Sequence, residues 1–248
     1  MEGKKILLIG GSSGIGSATA VHLSKCGAKL VLISRNANKL KEVVSKCHGT
    51  GHEIFSADVQ DDKEIELFLE QNVKGTAQCI DGMVYCVGKE GTIPVKLLKK
   101  RTLEDIISVN TVPAVLISKI LLKNGILNKN GGAFVFISSV MGSLGQPAKV
   151  AYCMSKGALN AATKALALEL APKNIRVNSI SPGMVVTEMS QKILNSIDEE
   201  SINNIKKMHP LGLGSVDDVA NGVEFLLSDN SKWITGIDLL IDGGYSAQ

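Results

Sequence analysis

The chain has 248 residues, 44% of them hydrophobic, with a formal net charge of +3 and five cysteines. The charge is mild and the basic residues are scattered, the densest cluster being Lys96, Lys99, Lys100 and Arg101, which argues against a nucleic-acid surface. Cys26, Cys47, Cys79, Cys86 and Cys153 form neither a CxxC pair nor a metal-ligand spacing, and the first apolar run, Ile6–Ile9, is too short for a membrane span or a signal-peptide core. A cytoplasmic protein without metal, membrane or nucleic-acid partner is expected, folding as one domain over residues 1–248.

The elements alternate from one end to the other. A strand at Ile6–Ile9 leads into Gly10-Gly11-Ser12-Ser13-Gly14-Ile15-Gly16 and a helix over Gly14–Cys26. Strands then follow at Lys29–Ile33, Glu53–Ala57, Gly82–Cys86, Ala133–Ile137, Arg176–Ile180 and Asp238–Ile241. Between them lie helical stretches at Asn38–Cys47, Asp61–Lys74, Leu103–Leu122, Ala151–Ala171 and Val216–Leu227. Most strands are apolar at successive positions, as in strands covered on both faces, so the pattern predicts an α/β fold with a doubly wound parallel sheet of seven strands. Residues 184–214 break the rhythm and fall after a strand end, where a substrate lid would sit.

The glycines after the first strand let the turn close tightly and let a phosphate approach the backbone, while the helix start offers unpaired N–H groups. Gly10, Ser12, Ser13, Gly14, Ile15 and Gly16 are therefore candidate dinucleotide contacts. No Gly-Lys-Ser/Thr follows, which disfavours a P-loop. The second strand ends in Ser34-Arg35, where a free ribose 2′-hydroxyl would call for a carboxylate. Ser34 can hydrogen-bond and Arg35 can pair with a 2′-phosphate, so NADP(H) is expected over NAD(H). An exposed loop arginine is the plainer alternative. Asp58 and Val59, after the third strand, are placed to flank an adenine, with Asp58 also suited to a turn or a cap.

Tyr152 and Lys156 lie four apart and share one helix face. A neighbouring ammonium favours a phenolate and would lower the tyrosine from its usual value of about 10. The hydroxyl of Ser139, thirteen positions upstream, could join the phenol at a substrate oxygen. The plain alternative is a solvated helix face.

Together, in this order and spacing, the glycine loop, Ser139, Tyr152 and Lys156 resemble the short-chain dehydrogenase/reductase family, whose fold is the Rossmann fold. The resemblance covers essentially the whole chain. It implies Tyr152 as acid–base, Ser139 as substrate-orienting serine, Lys156 as the residue that binds the nicotinamide ribose, and Asn110 as the end of a proton relay through water. It also implies that Pro182, Gly183, Val185 and Thr187 hold the nicotinamide carboxamide, and the closing Ile241-Asp242-Gly243-Gly244 resembles the family's last signature. Three departures stand out. Ile9 replaces a threonine, Tyr85-Cys86-Val87-Gly88 replaces Asn-Asn-Ala-Gly while keeping the cofactor-side Gly88, and Ser13 replaces a basic residue of many NADP-preferring relatives.

The resemblance implies an NADP(H)-dependent oxidoreductase that interconverts a carbonyl and a secondary alcohol, assembled as a homotetramer through the helices at Leu103–Leu122 and Ala151–Ala171. It is nearest the 3-oxoacyl-acyl-carrier-protein reductases, whose basic carrier contacts fall here at Asn130 and Lys173, half of them kept. A small-molecule substrate, free or bound to acyl-carrier protein, is therefore expected. A sugar, polyol or steroid dehydrogenase using NAD(H), and a nucleotide-binding sensor without catalysis, stay open.

Overall fold

A computed structural model describes residues 1–76, 78–195 and 198–247, without the side chains of residues 189, 192 and 193. Seven strands form one sheet: β1 (Lys5–Ile9), β2 (Lys29–Ser34), β3 (Glu53–Ser56), β4 (Gly82–Tyr85), β5 (Gly132–Ile137), β6 (Ile175–Pro182) and β7 (Asp238–Ile241). Their spatial order is β3-β2-β1-β4-β5-β6-β7, and every pairing is parallel. The order reverses between β1 and β4, which leaves a crevice beyond their carboxyl ends. Doubly wound sheets take their ligands at such a point.

The helices are α1 (Gly14–Lys25), α2 (Ala37–Val44), α3 (Asp62–Asn72), α4 (Lys100–Asn110), α5 (Val112–Leu121), α6 (Val150–Leu170), α7 (Glu188–Leu194), α8 (Glu199–Lys207) and α9 (Val216–Leu227). Alternate residues of each central strand feed opposite faces of the sheet. Leu7, Ile9, Met83, Tyr85, Phe134 and Phe136 pack with α3, α5 and α6, whereas Ile6, Leu8, Val84, Val135 and Ile180 pack with α1, α2 and α9. This is why β1, β2, β4 and β5 read as largely apolar runs.

The single helix expected over Leu103–Leu122 is two helices, divided at Thr111. Pro113 sits in the first turn of α5 and has no N–H to give the carbonyl of Val109 four residues back. Tyr85 takes up that carbonyl, its buried hydroxyl donating to Val109 O at 2.5 Å. The unusual tyrosine that ends β4 thus fills the place of a lost helical hydrogen bond. The stretch expected to form a lid, 184–214, carries α7 and α8, and its residues 196 and 197 lie outside the described residues.

Candidate active site

The glycine loop is shaped by what a side chain would strike. A Cβ on Gly16 would lie 2.2 Å from Gly10 O, and one on Gly10 would lie 3.0 Å from Cys86 C and Val87 N. Gly10 has φ +88° and Gly14 φ +50°, the left-handed region that glycine enters at little cost. Ser13 stands at the N-cap of α1 with no side-chain capping bond, so the first N–H groups of the helix face the crevice unspent by that residue. Gly88 closes the opposite wall, with Lys156 Nζ 3.5 Å from where its Cβ would be. A dinucleotide fits this cradle because its phosphates need a close backbone approach and helix N–H donors.

Helix α6 brings Tyr152 and Lys156 to the same crevice, and the segment after β5 brings Ser139 beside the tyrosine. Ser139 Oγ accepts from Met141 N at 3.2 Å, and Ser139 O accepts from the Ser181 hydroxyl at 3.0 Å, itself braced on Asp238. Lys156 is buried and donates to Ile137 O at 2.8 Å. Burial holds its amine down at about 8, with Cys86 working the other way. Cys86 in turn is pushed up by burial to about 12, with Lys156 opposing the rise.

The expectation that Lys156 lowers the Tyr152 pKa is corrected by the free chain. Burial raises the phenol, the Ser139 side chain opposes that rise, and Cys153 adds to it. The amine of Lys156 donates to a backbone carbonyl and stands 5.9 Å from the ring centroid, and burial is the largest influence on the phenol. A phenol raised in this way keeps its proton at neutral pH.

Asn110 is fully buried at the break between α4 and α5. Its carboxamide accepts from Lys89 N at 2.6 Å and donates to Lys89 O at 3.0 Å and Ser155 Oγ at 2.9 Å. The side chain ties the loop after β4 to α6 and makes no direct bond to Lys156.

At the outer end, Ser34 is buried and its hydroxyl accepts from Asn36 N at 3.4 Å. Arg35 is exposed, and among the described residues no hydrogen bond or ion pair holds its guanidinium. Asp58 is exposed and accepts from Gln60 N at 3.0 Å in a turn, while Val59 is packed in the core. Pro182 ends β6, Val185 is buried, and Thr187 Cγ2 lies 3.6 Å from where a Cβ on Gly14 would be, which sets the Pro-Gly segment beside the glycine loop.

Three residues unmarked in the sequence complete the site. His209 is buried, accepts from Met184 N at 3.0 Å through Nε2 and donates to Ile205 O at 2.8 Å through Nδ1. Lys149 and Glu90 form an ion pair beside Tyr152. Only the placement of Lys149 three residues before the tyrosine could have signalled it. Among the described residues no group of three or more His, Cys, Asp or Glu is placed to hold a metal ion, and no helix is long and apolar enough to cross a membrane.

A family model described as Enoyl-(Acyl carrier protein) reductase matches residues 10–246. A solved short-chain type dehydrogenase/reductase from Mycobacterium ulcerans superposes with a TM-score of 0.92 at 27% identity, covering 100% of this chain and 91% of that one. The chain belongs to the short-chain dehydrogenase/reductase family. It is accordingly an NAD(P)-dependent oxidoreductase. It is 36% identical to carbonyl reductase family member 4 of Xenopus laevis over 97% of both chains. It is 33% identical to a 3-oxoacyl-[acyl-carrier-protein] reductase of Haemophilus influenzae over 98% of both, and 30% identical to a glucose 1-dehydrogenase of Gluconobacter oxydans over 98% of this chain and 91% of that one.

Proposed function

We propose that this family member reduces a carbonyl to a secondary alcohol with NADPH, and that its substrate is a 3-oxoacyl thioester. The observation that carries the reading is the meeting of Ser139, Tyr152 and Lys156 beside a glycine cradle. When bound, the nicotinamide supplies hydride. Gly10, Ser12, Ser13, Gly14, Ile15 and Gly16 would hold its pyrophosphate. Ser34 and Arg35 would hold the phosphorylated ribose, and Asp58 and Val59 the adenine. Gly88, Lys156, Pro182, Gly183, Val185 and Thr187 would hold the nicotinamide half. Ser139 and Tyr152 donate hydrogen bonds to the carbonyl oxygen where negative charge develops. Tyr152 gives up its phenolic proton to that oxygen, and the Lys156 ammonium favours the phenolate left behind. Asn110 acts by fixing the 88–89 loop against α6.

Val95, Leu97, Val186 and Leu211 are exposed in the segments after β4 and β6, a rim suited to an aliphatic tail, and residues 184–214 would close over it as a lid. The names of the 3-oxoacyl reductases among the relatives support the same substrate class. Asn130 and Lys173 adjoin the amino-terminal starts of β5 and β6, at the end of the sheet opposite the crevice, so within one protomer they do not border Tyr152. Exposed Leu168 on α6 and Val112 on α5 support the homotetramer expected from these helices, which sedimentation of a monomer would contradict.

NADPH oxidation with a panel comprising a 3-oxobutanoyl thioester, xylulose and a 2-alkanone tests the function. Turnover led by the thioester supports it, and turnover led by xylulose replaces the substrate class with a polyol. A chain inert toward every carbonyl is a nucleotide-binding protein without catalysis, and the reading fails.

A further inference from the structure

Tyr152 has a second cation beside it. Lys149 Nζ lies 5.9 Å from the centroid of the ring, the same separation as Lys156 Nζ. Unlike Lys156, which is buried against Ile137 O, Lys149 is held by a carboxylate, its ion pair with Glu90, with side chains only 12% and 27% exposed. The elements presenting this pair are both anchored. Ala148, immediately before the lysine, has φ +65°, a left-handed conformation that a non-glycine residue adopts only when its surroundings hold it there. Its carbonyl accepts from Ile93 N at 2.7 Å, joining the segment before α6 to the loop after β4. Asn110 grips the same loop at Lys89 N and O, one residue before Glu90. Among the described residues, the groups facing Tyr152 are Lys149, Cys153 and Lys156 from its own helix, Ser139 from the segment after β5 and, through Lys149, Glu90.

We propose that Lys149, fixed by Glu90, is an electrostatic positioning residue for Tyr152, holding the ring in place and favouring the phenolate as its proton departs. This rests on Tyr152 being the acid of the reaction. The balance of the step is simple. The carbonyl carbon gains hydride from NADPH, the carbonyl oxygen takes the proton from Tyr152 Oη, and the phenolate stays beside Lys149, which gives up and receives no proton. A unit charge about 6 Å away in a partly buried site shifts such an ionisation by about one pH unit, of which a proton-transfer transition state registers a fraction.

The test compares Lys149→Met, Lys149→Arg, Glu90→Gln and Tyr152→Phe in the full chain at pH 7, with the 3-oxobutanoyl thioester, xylulose and the 2-alkanone as probes. Cofactor binding by NADPH fluorescence is the folding control. Lys149→Met is expected to lose about threefold to tenfold in kcat/KM, with a larger solvent deuterium isotope effect because proton transfer then limits the rate. Lys149→Arg should recover most of the loss, and Glu90→Gln, which loosens Lys149 but leaves its charge in place, should lose less than Lys149→Met. A Glu90→Gln loss as deep as that of Lys149→Met makes the pair a mere clamp and overturns the proposal. So does a Lys149→Met chain with wild-type rate and isotope effect. If Lys149→Met fails to fold, the ordering of Glu90→Gln and Lys149→Arg against wild type decides. An inert Tyr152→Phe beside an unaffected Lys149→Met sinks this proposal alone, whereas turnover in Tyr152→Phe, or a wild type inert toward every probe, sinks the reading of the site and this inference with it.

Discussion

The two halves of the site meet across the crevice between β1 and β4 but are built by opposite means. The glycine cradle works by absence: Gly16 has 2.2 Å between its missing Cβ and Gly10 O, and its contribution is backbone geometry carried by seven residues of chain packed against Cys86 and Val87. The cluster of Ser139, Tyr152 and Lys156 works by presence, with side chains from two distant segments held by a web that runs through Asp238, Ser181, Asn110 and Ser155. A cradle of this kind is local and tolerates no added atom. A cluster of this kind depends on topology, and its chemistry resides in single removable groups.

Removing the group at the centre gives the largest effect. Tyr152→Phe keeps the ring but deletes the proton donor, and the loss of a positioned general acid is worth about 10²- to 10⁴-fold in rate. NADPH binding, followed by fluorescence, should survive, because the cradle has not been touched. Gly16→Ala breaks the comparison from the other side. The added methyl must displace the backbone at Gly10, and overpacking of this kind costs about 1–3 kcal/mol, or about ten- to a hundredfold. The loss should fall on the cofactor Kd, while kcat at saturating cofactor changes far less. A Gly16→Ala chain with unaltered cofactor affinity would show that the loop is not where the cofactor is held.

This contrast also explains what the sequence makes legible. The strands are readable because most carry apolar residues at successive positions, and the cradle is readable because its glycines cluster within Gly10–Gly16. Tyr152 and Lys156 declare themselves by helical spacing. The break at Thr111 is missed although Pro113 is in plain view, since a proline in an apolar helical run marks a first turn or a kink equally well. What decides is Tyr85, which lies 24 residues earlier and meets Val109 O only through the sheet. The Glu90–Lys149 pair and the His209–Met184 bond are invisible for the same reason: each joins two loops that only the fold brings together. The direction of the Tyr152 pKa is missed because spacing gives the distance to a charge but not the water lost on burial.

That desolvation has a measurable consequence for stability. The usual lysine value of 10.5 falls to about 8 for Lys156 in the folded chain, so between these values the unfolded chain binds more protons and stability rises with pH. Cys86 acts in the opposite sense. Its thiol is raised from 9.0 to about 12, so above pH 9 the folded chain keeps a proton that the unfolded chain loses, and stability falls. The cofactor-free chain should therefore gain about 1 kcal/mol from pH 8 to 9, where Lys156 acts with little opposition, and then level off. Chemical denaturation across this range measures it. Lys156→Met should abolish the rise and uncover the decline above pH 9, whereas an unchanged profile in the mutant would assign the effect elsewhere.

The smallest effect belongs to the outer end of the cradle, where presence replaces absence in a solvent-exposed setting. Ser34 is buried and bonded to Asn36 N, so its position is fixed by the loop, while Arg35 is exposed and its guanidinium has no protein partner among the described residues. The arginine is thus available to a 2′-phosphate but is not preorganised for it. It must lose side-chain freedom on pairing, and water and salt screen the contact. Exposed ion pairs are worth about 0.2–1 kcal/mol, which amounts to no more than about fivefold. Arg35→Ala should lower the ratio of kcat/KM for NADPH over NADH by about two- to fivefold, and raising the salt concentration should erode the wild-type ratio in the same direction. Adding Ser34→Asp should carry the ratio past unity, because a carboxylate accepts from free ribose hydroxyls and repels a phosphate. A wild-type preference for NADH, or an Arg35→Ala ratio that does not move, would mean that the guanidinium stays in solvent and that cofactor choice is made inside the glycine loop.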